Sequence, residues 1–122
     1  MIISKHFILI YLSLLLYSCN TNGQCNNLPP TFSSYSQAIR LIQNTRFTYT
    51  DKLPSEKSSW ISTANYYSCN GVDGYMIYST TKGRRYMHER IPLNVWKEFK
   101  NASSSGSFYV SNIKNRYRLI PD

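Results

Sequence analysis

The stretch WISTANYYSCNGVDGYMIYSTTKGRRYMHERIP, residues 60–92, decides the fold. It contains three runs rich in Tyr, Ile and Thr, separated first by Asn70-Gly71 and Asp73-Gly74 and then by Lys82-Gly83. Aromatic and β-branched side chains suit a pleated, half-buried surface, and Gly-containing pairs of this kind mark tight turns. Strands are therefore expected over 60–69, 75–80 and 84–91. Connections this short require antiparallel neighbours, because a parallel pair needs a crossover of a dozen residues or more. The centre of the chain thus reads as a meander.

Working outward from it, Pro92 stands where a helix can begin, since its missing N–H is not needed in a first turn. Val95, Phe99 and Ala102 follow at i, i+4 and i+7 with Trp96 beside them, an apolar stripe that should cover one face of the meander. This helix is expected to end in the Ser and Gly run at 103–107. In SGSFYVSNIKNRYRL, residues 105–119, Phe108, Ile113 and Tyr117 are expected to pack inward. On the other side, FSSYSQAIRLIQN (32–44) places Tyr35, Ala38, Ile39 and Ile42 on one helical face, and Ser34 with Gln37 has capping-box spacing. RFTYT (46–50) alternates like a short strand with Phe47 and Tyr49 on one side, and DKLPSEKSS (51–59) reads as a charged linker around Pro54. The expected class is α+β, a small antiparallel β-meander packed by one or two α-helices.

At the start of the chain, Lys5 and His6 precede an apolar run, residues 7–16, broken only by Ser13. That is the layout of a secretory signal, and the run is shorter than the roughly 20 residues a membrane-spanning helix needs. Leu16-Tyr17-Ser18-Cys19 resembles the lipobox of bacterial lipoproteins. The resemblance implies a lipoprotein-type signal over 1–18 and a mature chain that begins at Cys19, held to a membrane by acyl chains. Stable anchoring takes two such chains rather than one. Asn20 after that Cys, where Asp favours inner-membrane retention in enteric bacteria, points to the outer membrane. A plain signal peptide, with Cys19 removed or merely structural, is the alternative. Residues 19–30, CNTNGQCNNLPP, have the composition of a tether. With Cys19 lipidated, Cys25 and Cys69 can pair in only one way, and an exported chain meets an oxidising compartment. Such a disulfide would stabilise the fold by about 3 to 4 kcal/mol on the chain-entropy account; two unpaired buried thiols are the other reading. Residues 31–59 then form an N-terminal extension of helix and short strand, and 60–122 the principal domain.

Charge is unevenly spread. The 122-residue chain carries 14 Lys and Arg against 6 Asp and Glu, a net of +8. From 82 to 122 there are nine cations and three anions, whereas 19–81 holds four against three. The basic half should dominate the field of the molecule. The candidate anion-binding residues are Lys82, Arg84, Arg85, Tyr86 and His88 on the second hairpin with Lys114, Arg116 and Tyr117 on the tail, joined by Arg118 and Tyr109. Cations there would neutralise an anionic partner while the rings stack or pack. The plainer reading makes the cations a solvated face and the tyrosines sheet residues.

Residues 60–119 resemble a KTSC domain, a small module also found at the C-terminal end of some lysyl-tRNA synthetases. The resemblance lies in the order Lys82-Gly83, Tyr86, Ile91-Pro92, Val95-Trp96, Phe99, Asn101-Ala102, Ser104, Gly106-Ser107-Phe108-Tyr109, Ile113-Lys114 and Tyr117. Two positions depart from it: a Tyr-x-Tyr element reads Tyr86-Met87-His88, and an Asn is replaced by Val110. The resemblance implies the fold, together with the RNA binding that has been suggested for the family.

Catalysis is not expected. His88 is the one histidine beyond the signal, and on a strand its neighbour Glu89 points to the opposite face. Asp51, Glu56, Asp73 and Glu98 fall in different segments. There is no zinc-ligand spacing, no phosphate-cradling glycine loop and no nucleophile elbow, so no metal or cofactor is expected. The expected role is a non-catalytic binding module of the bacterial cell envelope, anchored through its N-terminal lipid, with an envelope polyanion or acidic protein as partner. A nucleic-acid (RNA) binder is the alternative.

Overall fold

The structure is a computed structural model that describes residues 23–54 and 57–120. The signal, Cys19 and Asn20 lie outside the described residues. Ten elements follow in chain order: β1 (Gly23–Gln24), a 3-10 turn (Cys25–Asn27), α1 (Tyr35–Gln43), β2 (Thr45–Arg46), β3 (Tyr49–Lys52), β4 (Ile61–Ser68), β5 (Asp73–Thr80), β6 (Arg85–Pro92), α2 (Leu93–Asn101) and α3 (Ser105–Asn112). Strands β3-β4-β5-β6 form one antiparallel sheet in sequence order, and β1 pairs with β2 in a small parallel ladder. The meander and the α+β class are as expected.

Alternation along the strands buries both faces of the sheet. On one face Ile61, Ala64, Tyr66, Met76, Tyr78 and Ile91 pack under Trp96 and Phe99 of α2 and Tyr109 of α3. Trp96 lies flat on Tyr66, with ring centroids 5.2 Å apart. On the other face Ala38 and Ile42 of α1 and the preceding Phe32 cover Met87, Tyr67, Tyr75 and Ile77. One sheet therefore organises two cores, and the face under α2 and α3 carries the larger.

α1 starts at the predicted cap: the Ser34 hydroxyl accepts from the Gln37 N–H at 3.1 Å, while the Gln37 side chain reaches one residue further back than a capping box requires and accepts from the Ser33 N–H at 2.8 Å. α2 begins after Pro92. The Ser and Gly run beyond it does more than stop that helix. Ser104 caps a third helix, α3, by accepting from the Ser107 N–H, so three α-helices among the described residues pack on the meander. Gly106 permits this, because a Cβ there would collide with the Trp60 indole.

Two further expectations are corrected. Asp51 and Lys52 belong to β3 rather than a linker, since Tyr49–Lys52 pairs with Asn65–Ser68 of β4. Phe47 and Tyr49 do not share a side. Phe47 packs on Tyr67, at 5.2 Å between centroids, whereas Tyr49 meets Tyr66 on the opposite face; the bend at Thr48 between β2 and β3 resets the alternation. Asp51 fastens β3 to α2, its carboxylate accepting from Trp96 Nε1 at 2.9 Å and from Lys100 Nζ at 3.0 Å.

Cys25 and Cys69 are joined, with their Cα atoms 5.5 Å apart, which ties the start of the described chain to the end of β4. At the other end, residues 118–120 run antiparallel beside β6: the Glu89 N–H donates to the Arg118 carbonyl and the Ile120 N–H to the Met87 carbonyl. His88 and Leu119 face one another across this pairing.

Candidate functional site

The tail pairing divides the basic residues that the sequence groups together. Lys82, Arg84 and Arg85 are exposed at the turn between β5 and β6. Because the tail runs antiparallel to β6, Arg116 and Arg118 sit instead at the far end of that strand, beside Arg90. Five residue steps of strand separate Arg85 from Arg90, roughly 16 Å. Lys114 and Arg116 are exposed beyond α3, and Tyr117 is half-buried against the larger core. Tyr86 is half-buried as well, stacked on Tyr78 at 5.2 Å.

The far end of β6 forms a cleft of about 480 Å³ lined by Pro30, Thr31, Glu89, Arg90, Arg116, Tyr117 and Arg118. Glu89 holds its frame. Its buried carboxylate accepts from the Thr31 hydroxyl at 2.9 Å and from the Phe32 N–H at 2.9 Å. Arg118 donates to the Thr31 hydroxyl and stands 3.8 Å from Glu89 Oε2. Arg90 and Arg116 have no ion-pair partner among the described residues. The cleft thus presents three guanidinium groups, of which one is partly neutralised.

A bulge aims Arg90. Gly74 pairs with Ile91 while Met76 pairs with His88, so β6 holds one residue more than β5 over this interval. The extra length is absorbed at Arg90, which takes the left-handed conformation with φ of 55°. Bulges re-aim side chains and are enriched beside binding and active sites. The bulge also explains why His88 and Ile91, an odd number of residues apart, both face the larger core. Neither Arg90 nor the bulge was singled out from the sequence. The available signal was Ile91, an apolar residue out of phase with Tyr86 and His88, and on a sheet buried on both faces that signal is faint.

His88 is placed differently from the expectation. It is fully buried, so it offers no charge to a partner. Its Nδ1 lies 3.1 Å from the Tyr117 carbonyl, which can only accept, so Nδ1 carries the proton and Nε2 accepts from the Tyr109 hydroxyl at 2.8 Å. Tyr109 in turn accepts from the Tyr78 hydroxyl at 2.6 Å. Burial holds the imidazole pKa below its ordinary value, against the opposing pull of the Tyr117 and Arg118 carbonyls. Burial also pushes the Tyr78 phenol far above its usual range, with the bond to Tyr109 adding to it. The relay is neutral and polar, and it locks the tail to β6 and to α3. No cluster of His, Cys, Asp or Glu among the described residues could hold a metal ion. No helix among them is long and apolar enough to cross a membrane.

Comparison with known proteins gives this arrangement its class. Residues 79–117, from the end of β5 through β6, α2 and α3 to the tail, match the KTSC domain family, which bears out the resemblance read from the sequence over that span. Among solved structures, a KTSC domain protein from Yersinia pestis shares the fold with a TM-score of 0.50 at 19% identity, over 61% of this chain and 99% of that one. No curated protein matches the chain. Of the cleft residues, Glu89, Arg90, Arg116 and Tyr117 fall inside the matched span, whereas Pro30 and Thr31 come from the segment ahead of α1.

Proposed function

We propose that this chain is a non-catalytic binding module of the cell envelope, held to a membrane through Cys19, that takes an anionic partner on its basic, Tyr-lined side. The observation that carries this reading is the cleft at the end of β6, where Arg90 and Arg116 face solvent and form no ion pair among the described residues. Planar guanidinium groups suit phosphate or carboxylate oxygens, which they grip in pairs. The commitment of both His88 ring nitrogens inside the core supports a binding role over a catalytic one.

The test is direct binding of the purified chain, across a range of salt, to lipopolysaccharide, anionic phospholipid vesicles, peptidoglycan fragments, an acidic polypeptide and single-stranded RNA. Salt-sensitive binding to an envelope polyanion, weakened by Arg90→Ala with Arg116→Ala, is the expected outcome. RNA bound more tightly than every envelope polyanion would favour the nucleic-acid reading, and no binding at all would sink both. Intact-mass analysis of wild type and Cys19→Ala from bacterial membranes checks the anchor, with a diacyl or triacyl mass on a chain starting at Cys19 as the expected result.

A further inference from the structure

We propose that the arginine cleft docks on the phosphate headgroups of the same membrane that holds Cys19. The inference rests on the binding reading above and names its partner: an anionic phospholipid surface. The first support is distance. Four residue steps separate Cys19 from Gly23, whose backbone is paired with Thr45, and four extended steps span at most about 14 Å. Two residues further on, Cys25 is bonded to Cys69, so the tether cannot lengthen by peeling away from the domain. A lipidated Cys19 would therefore keep this end of the protein at the bilayer surface.

The second support is which end is held. The hollow lined by Cys25 and Cys69 shares Pro30, Glu89 and Arg90 with the arginine cleft. The tether is thus pinned beside Arg90, Arg116 and Arg118, while Lys82, Arg84 and Arg85 lie at the opposite end of β6. Two unpaired guanidinium groups and a third shared with Glu89 would then stand among phosphodiester oxygens. The bulge adds a third support. Glycine would hold the Arg90 conformation without strain, so what Arg supplies at this position is its side chain, and that side chain lines the cleft. Basic residues near an anionic leaflet contribute about 1 kcal/mol each, about fivefold in partitioning. Added to acyl anchoring, they fix the orientation of the domain.

The experiment uses the processed lipoprotein reconstituted through its own anchor into vesicles of phosphatidylcholine alone or mixed with phosphatidylglycerol. Arginines are labelled with phenylglyoxal and mapped by peptide mass. Arg90 and Arg116 should be protected about fivefold more in the anionic vesicles, the factor expected per basic residue at such a surface, with Arg84 and Arg85 unchanged. Arg90→Gly, which relieves backbone strain and so keeps the fold, should reduce the protection of Arg116. Equal labelling in the two membranes overturns the inference, as does protection of Arg84 and Arg85 instead. A purified chain without lipid also overturns it. Equal labelling, or protection of Arg84 and Arg85, leaves the binding of an anionic partner standing, which fails only if no polyanion of the panel binds; a chain without lipid also removes the Cys19 anchor from the proposed function.

Discussion

Arg90 and Asp51 show how single residues here trade stability against position. A non-glycine residue in the left-handed region costs about 1–2 kcal/mol, and glycine there gives part of that back as unfolded-chain entropy. Arg90→Gly should therefore stabilise the fold by about 0.5–1 kcal/mol, read as a higher urea midpoint at unchanged slope; a lower midpoint would show that the guanidinium is structural. Asp51 behaves in the opposite way. Burial opposes its ionisation, but bonds from Trp96, Lys100 and the Lys52 N–H outweigh that and hold its pKa below the usual carboxylate value. Asp51→Ala leaves the Trp96 indole N–H without its partner, and should cost about 1–3 kcal/mol in urea unfolding. A group with a depressed folded pKa stabilises above its unfolded value and loses that contribution as pH falls. The Asp51 contribution should thus be intact above about pH 4 and disappear below it.

At the scale of elements, the tail is the piece that most depends on others. The backbone of residues 118–120 is hydrogen-bonded along the edge of β6, and Ile120 inserts into the smaller core with 2% exposure. Ile120→Ala should lower stability by about 2–4 kcal/mol, as deletion of a buried aliphatic group does. It should also speed amide exchange at Glu89 and Ile120 ahead of the centre of β5; uniform exchange across the sheet would show that the tail is not a separate unit. The three strands of the meander, α1 and α2 were legible because their signals are local: turn glycines, alternation, a cap and a starting proline; β1, read as part of a tether, and the end of β3, read as a linker, were not. α3 was not, because its Ser and Gly opening also describes a helix terminator. Only the packing of Gly106 on Trp60 and of Tyr109 on Tyr78 selects the helix.

For the molecule as a whole, pH dependence near neutrality should come from His88. Its folded pKa is depressed, so the unfolded chain binds the proton first as pH falls, and stability present above about 6.5 is lost below it. Unfolding free energy should decline from pH 7 towards pH 5 by no more than about 1.4 kcal/mol per unit. The slope should flatten in His88→Gln; an unchanged slope in that variant would assign the effect elsewhere. Protonation would put a hydrogen on Nε2 and force the Tyr109 hydroxyl to turn, which unsettles the bond from Tyr78. The same relay carries the tail, so acid should loosen the arginine end of the molecule before the hairpin end.

By itself the sequence determined the meander, the sites at which α1 and α2 begin and the KTSC resemblance, because each follows from short-range patterning; it offered the Cys25 and Cys69 pair only with Cys19 set apart, and the 5.5 Å between their Cα atoms in the structure decided it. Only the tertiary structure decided that the basic residues fall at two ends of β6, that His88 is an interior hydrogen-bonding group, and that Arg90 joins Arg116 and Arg118 in one cleft. Those outcomes depend on a one-residue bulge and on a tail strand paired with β6 from some thirty positions away in the chain. Register between distant segments is set by which side chains both cores can bury together, and no local pattern encodes it.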